Sequence, residues 1–170
     1  MIKRPKDSEF AVHYKKYIDL VPRGSVLKAM QSQHKALIEL IRGLSEEKLV
    51  FQYAPGKWTI KEILVHIIDA ERIFAYRALR FARHDKTELP GFEENDYAPE
   101  SLANLRTVES ILKEYSVTRK ATIEMFKNFT PAMLDRIGIA SRNPMSVKAL
   151  AFNIAGHELH HVNVIKERYL

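Results

Sequence analysis

The sequence predicts an all-α protein: an antiparallel four-helix bundle with long crossover loops and a short N-terminal helical arm. Three observations lead there. Four long segments carry apolar residues three and four apart, the spacing of one buried helix face. Pro and Gly punctuate the chain at Val21-Pro22-Arg23-Gly24, Ala54-Pro55-Gly56, Leu89-Pro90-Gly91, Ala98-Pro99 and Asn143-Pro144. No stretch sustains the period-2 alternation of a half-buried strand. A chain of 170 residues suits one core of ordinary size, so residues 1–22 read as an arm and 23–170 as a single bundle domain.

In chain order the arm comes first. Phe10, Tyr14, Tyr17 and Ile18 recur at helical spacing and predict a short docking helix. The first long helix is expected over residues 25–44, where Leu27, Met30, Leu37, Ile41 and Leu44 form a heptad-like stripe that includes His34. The second is expected over 59–83. Thr59 is a good N-cap, and Glu62 three residues later completes a capping box. Ile60, Ile63, Leu64, Ile67, Phe74, Ala78 and Phe81 make its inner face, with Arg72, Tyr76, Arg80 and Arg83 opposite. The third is expected over 101–129, with a period set by Leu102, Leu105, Val108, Leu112 and Tyr115. The fourth covers 146–169, with Leu150, Ile154, Val164 and Ile165 inward. The connections before the third and fourth helices exceed what a bundle needs, and long loops at a bundle mouth often carry function.

Composition narrows the chemistry. The chain has no cysteine, which removes disulfides, thiolate nucleophiles, iron–sulfur clusters and cysteine zinc sites together. Any metal must be held by His and carboxylates. No apolar run is long enough to span a membrane, and the charged N-terminus lacks the apolar stretch of a secretory signal, so a cytoplasmic location is expected. The net charge of +6 is not gathered on one face. Residues 1–23 hold six basic and three acidic residues, while 85–100 hold six acids and one Lys. Arg72, Arg80 and Arg83 offer a basic patch, but acids interleave with it, and nucleic acid is not the expected partner.

Chemistry concentrates in Gly156-His157-Glu158-Leu159-His160-His161. His157 and His161 stand four apart on a predicted helix, about 40° apart on the wheel, and share the inward face of Leu150 and Ile154. Two imidazoles so placed can hold one metal. The letters also match H-E-x-x-H, in which Glu is the general base of a zinc protease. Such enzymes take a third ligand downstream, and only nine residues follow His161. The third ligand must therefore come from upstream, where His66, His34, His84 and His13 are available. His66 ranks first, since it sits mid-helix among apolar neighbours; His34 ranks second.

A family resemblance enters here. The run Tyr53-Ala54-Pro55-Gly56-Lys57-Trp58-Thr59-Ile60-Lys61-Glu62-Ile63-Leu64-Val65-His66, continued by Ile67-Ile68-Asp69-Ala70-Glu71-Arg72, resembles the second helix of the DinB/YfiT-like superfamily. Ala155-Gly156-His157-Glu158-Leu159-His160-His161 resembles that family's last helix. The resemblance runs from about Val21 to Leu170. It implies a four-helix bundle, usually a homodimer, binding one divalent metal ion per chain through His66, His157 and His161. By that pattern His160 is not a ligand, and His34 is core or pocket lining. The ion could be zinc, nickel, iron or manganese, because ligand type alone does not choose.

The remaining candidates are weaker. Glu158 neighbours a ligand but points about 100° away from it; it reads as a solvated acid or a support for the ligands before it reads as a general base. Asn153, one turn before His157, can reach the site. Glu71 falls within an apolar arc and needs a partner. Trp58 reads as a packing anchor, and residues 92–97 as a solvated loop in which a lid is the lesser reading. No catalytic residue is assigned.

Three functions are compatible. The resemblance favours metal-dependent transfer of a low-molecular-weight thiol to a small electrophile, because wider members of the superfamily do this and a metal deprotonates a thiol. The alternatives are hydrolysis by a metal-activated water, and a non-catalytic metal-binding or stress-related protein. A small-molecule substrate is the expected partner of the first two.

Overall fold

The arm opens the chain, and only its end is an α-helix. Tight turns over Asp7–Glu9 and Val12–Tyr14 lead into the single turn α1 (Lys15–Ile18). The expected docking helix is therefore cut short. Phe10 is extended (φ −158°) and pairs with Met145 instead. The structure, a computed structural model, describes all 170 residues.

A Ser or Thr stands before each long helix and accepts a hydrogen bond from the backbone three residues on. Ser25 does so for α2 (Val26–Arg42). Ser45 caps the short α3 (Glu46–Leu49) in the same way. Thr59 caps α4 (Ile60–Ala82), and Glu62 reaches back to the Thr59 N–H at 2.7 Å, completing the expected box. The next connection contains α5 (Glu94–Glu100). Thr107 caps α6 (Val108–Lys127). Then come α7 (Pro131–Leu134), a hairpin of β1 (Ile137–Ala140) and β2 (Asn143–Ser146), and α8 (Val147–Arg168) capped by Ser146.

Two expectations need correction here. The third long helix starts at Val108, not at residue 101. Leu102 adopts a left-handed conformation (φ 49°) that breaks the helix, and Leu105 is 82% exposed, so neither sets a buried stripe. The hairpin was hidden because four-residue strands are too short to show alternation. Its register pairs Ile137 with Ser146 and Ala140 with Asn143, across a turn at Ser141 and Arg142 that both have positive φ. Gly138 lets it lie flat on α4: a Cβ there would stand 2.0 Å from the Phe81 ring.

Helix directions also differ from an all-antiparallel bundle. Between α4 and α6 the ties ascend together: Thr59 Oγ1 to Asn104 Oδ1 at 2.8 Å, Lys61 Nζ to the Arg106 carbonyl at 2.7 Å, and Arg72 to Glu114 at 2.6 Å. These helices are parallel neighbours. Between α4 and α8 the ties run oppositely, from Trp58 with Tyr169 to His66 with His157. Between α2 and α6, Met30 meets Arg119 and His34 meets Ser116, again antiparallel. Both α2 and α4 pack on α6 and α8, so these consecutive helices sit across the bundle from one another. Parallel neighbours require a long connection, which accounts for the 25 residues from 83 to 107.

The core has two apolar parts. One gathers Met30, Phe74, Phe81, Phe126 and Phe152; the other gathers Leu37, Ile41, Ile67, Tyr115 and Ile165. Polar groups cross the bundle between them: Glu71 from α4, Arg119 from α6, and Glu158 from α8. The arm closes over one side, where Gly156 of α8 meets α1 directly. A Cβ at Gly156 would lie 1.9 Å from the Tyr17 carbonyl oxygen.

Candidate metal centre

His66, His157 and His161 converge between α4 and α8. Antiparallel packing places the N-terminal third of α4 against the middle of α8, and the i, i+4 spacing turns both α8 imidazoles toward it. His157 Nε2 lies 3.1 Å from His66 Nε2 and 3.2 Å from His161 Nε2. One ring nitrogen from each of the three falls within 4.8 Å of the others. His66 and His157 are buried and His161 half-buried.

These rings are held neutral. Burial lowers the His66 pKa to about 4. Burial, then the neighbouring His66, His160 and Lys16, lowers His161 to about 3. His157 is pushed well below the ordinary imidazole range, first by burial and then by His161 and His66. A neutral imidazole nitrogen has a single lone pair or a single proton to offer. The central His157 Nε2 therefore cannot satisfy both of its neighbours, whereas one cation shared by the three nitrogens would satisfy all of them.

The histidines form one wall of a cavity of about 420 Å³. Trp58 covers His66, ring centroids 4.8 Å apart, and also lines the cavity, so it does more than anchor packing. Phe74 stands edge-on to His157 at 5.9 Å. The arm supplies His13, Tyr14, Lys16 and Tyr17. Phe92 and Glu94, from the connection expected to be a solvated loop, line it as well.

The other candidates separate. His160 lines the cavity and stands edge-on to Tyr17 at 5.3 Å, but lies outside the three-nitrogen group. His34 does not line it; its Nε2 pairs with Ser116 Oγ at 3.0 Å, on the α2–α6 side. His84 is exposed after the end of α4, with positive φ. Asn153 is fully buried and off the cavity, with neither amide atom hydrogen-bonded.

Glu158 is not a solvated acid. It is 1% exposed and faces α6, where its Oε2 accepts from Tyr115 Oη at 2.8 Å and Arg119 Nη2 at 2.5 Å. Arg119 also grips Glu71 through Nε and Nη2, giving that buried acid its expected partner. Burial opposes the charge on Arg119, but Glu158 and Glu71 more than offset it and raise its pKa. Burial pushes the Glu158 carboxyl up, against the pull of Arg119. Glu158 thus braces the helix turn that carries His157, and it does not line the cavity.

Sequence reasoning missed the arm's contribution to the cavity and missed Arg77. The signal for Arg77 was present: eleven residues after His66 is about 20° on the wheel, so a cation interrupts the inner face of α4.

Comparisons with known proteins agree with this architecture. The sequence profile of the DinB superfamily matches residues 29–165. A relative from Oceanobacillus iheyensis, put forward in its name as a metal-dependent hydrolase, is 28% identical over 142 residues, spanning 82% of this chain and 81% of the relative. The solved structure of YfiT from Bacillus subtilis matches with a TM-score of 0.70 at 16% identity, over 97% of this chain and 90% of YfiT. YfiT is put forward as a metal-dependent hydrolase with an unusual four-helix bundle topology.

Proposed function

The chain belongs to the DinB superfamily, and on that premise we propose that it is a metal-dependent hydrolase acting on a small-molecule substrate. The observation that carries the reading is the convergence of three neutral imidazole nitrogens within 4.8 Å on one cavity wall. His66, His157 and His161 would hold one divalent ion, zinc, nickel, iron or manganese. Three neutral protein ligands leave coordination positions open, as in reactive sites rather than structural ones. When bound, such an ion acts as a Lewis acid and activates water near neutral pH.

The chain's own residues do the rest. Trp58 and Phe74 flank the imidazoles and give the ligands an apolar border on the cavity side. Glu158, clamped by Arg119 and Tyr115, holds the turn bearing His157 in place. Glu94 is the sole carboxylate on the cavity wall and the one available acid for handling protons there.

Hydrolysis replaces thiol transfer as the leading reading. Both named relatives are put forward as metal-dependent hydrolases. The test is turnover of chromogenic ester and amide substrates by metal-loaded protein with no thiol present. Hydrolysis that disappears in His157→Ala supports the reading. Turnover that requires added thiol overturns it in favour of transfer.

A further inference from the structure

Arg77 is a buried cation without an acid. It lies on the inner stripe of α4, 3% exposed. Its Nη2 donates to two neutral oxygens, the Pro90 carbonyl at 2.9 Å and Ser141 Oγ at 3.0 Å. Those bonds use both Nη2 hydrogens. The remaining guanidinium N–H groups face the Tyr14 hydroxyl and no carboxylate. Arg77 lines the cavity that holds the three histidines, and on its other side a recess with Ile73, Tyr76 and Tyr97. Burial lowers the Arg77 pKa, and only Tyr14 works the other way.

The contrast with Arg119 is instructive. That guanidinium is wholly buried, and two carboxylates meet it. A buried charge ordinarily requires such a partner. Around Arg77 the cavity wall adds Lys16 and offers a single acid, Glu94, which does not pair with either cation. The missing counter-charge therefore has room to arrive from outside, as part of a ligand.

We propose that Arg77 is the anion receptor of the substrate cavity, taking a carboxylate or phosphate group of a small, elongated substrate whose scissile bond lies at the histidines. This rests on the hydrolytic reading of the cavity. Position sets the shape of the ligand. Eleven residues along α4 separate Arg77 from His66, an axial rise of about 16 Å on nearly the same face. The side chains close much of that distance: the Phe74 ring lies 5.7 Å from Arg77 Cζ and 5.9 Å from the His157 ring, so one aromatic ring separates the anionic end from the histidines. An acylated amino acid or an extended phosphate-bearing ester has that form; a small neutral ester does not. Charge-assisted bonds from the guanidinium to such an anion would supply the counter-charge that Tyr14, Pro90 and Ser141 do not.

The test is isothermal titration calorimetry of purified, metal-loaded protein with succinate and, separately, inorganic phosphate, at constant ionic strength in chloride. The expected result is saturable binding of one anion per chain, weakened tenfold or more in Arg77→Gln and largely recovered in Arg77→Lys. Tighter succinate than phosphate assigns a carboxylate substrate, and the reverse assigns a phosphate. Equal binding by wild type and Arg77→Gln would place the anion on the metal and overturn the proposal, as would no saturable heat with either anion. Because Arg77 also ties Pro90 and Ser141 to α4, Arg77→Gln can unfold. The wild type then decides alone: the Arg77 Nε–H resonance must shift as either anion saturates, and an unmoved resonance overturns the proposal. Calorimetry needs no turnover. A chain that binds anions through Arg77 but hydrolyses nothing removes the hydrolase reading and keeps the receptor; hydrolysis without Arg77-dependent binding does the opposite.

Discussion

Arg119 Nη2 lies 2.5 Å from Glu158 Oε2, one residue along α8 from His157. Through that bond α6 holds the turn of α8 that presents the histidines, and through Glu71 it holds α4 as well. One guanidinium thus joins the two helices that carry the candidate ligands. Removing it leaves two buried carboxylates facing each other, so Arg119→Met should cost about 3–5 kcal/mol. Glu158→Gln should cost less, about 1–3 kcal/mol, because Glu71 still neutralises Arg119. Urea denaturation checks both. Glu158→Gln should also retain metal and most activity, since the residue faces away from the cavity. A hundredfold fall in kcat with metal retained would instead make Glu158 a general base.

The ligand assignment separates His160 from its neighbours. His66→Ala, His157→Ala and His161→Ala should each lose tight metal binding, while His160→Ala and His34→Ala should retain it. Elemental analysis of untagged protein reads the outcome directly. Full occupancy in His66→Ala would show that α8 alone holds the ion.

Acid should destabilise the metal-free protein. His66 and His161 have folded pKa values of about 4 and about 3, both below the ordinary 6.5. The unfolded chain therefore binds more protons than the folded one in this range. Stability is fully present above pH 6.5 and is lost as pH falls through these folded values. The slope approaches about 1.4 kcal/mol per pH unit for each histidine. Urea midpoints measured after chelation, from about pH 7 down to about pH 5, should fall steadily. A flat profile over that span would mean that the rings are solvated and not held neutral. Bound metal should resist acid until protons compete for the same nitrogens, toward about pH 4 for His66.

Gly156 tests the docking of the arm. Its ideal Cβ would stand 1.9 Å from a backbone oxygen of Tyr17, which cannot rotate away. Gly156→Ala should cost about 1–3 kcal/mol as an overpacked contact. It should also free the arm, making residues 1–22 newly sensitive to limited proteolysis. An unchanged cleavage pattern and melting temperature would mean that α1 can shift without loss.

Local sequence determined a good deal of this protein. The helix starts were legible because a capping side chain and the backbone it satisfies lie three residues apart, as at Thr59 and Glu62. His157 and His161 were legible as a pair because an i, i+4 spacing fixes their direction on any helix. The hairpin at Ile137–Ser146 was not, because short strands paired through a two-residue turn carry too little pattern.

What only the tertiary structure decided are relations between distant segments. No local spacing states that α4 and α6 run parallel, that Glu158 meets Arg119, or that the arm lines the histidine cavity. Arg77 shows the difference most plainly. Its position on the inner face is written in the sequence, but its lack of a carboxylate depends on which side chains three other segments bring to it. Periodicity sets the direction of a side chain; the packing of helices far apart in the chain decides what it meets.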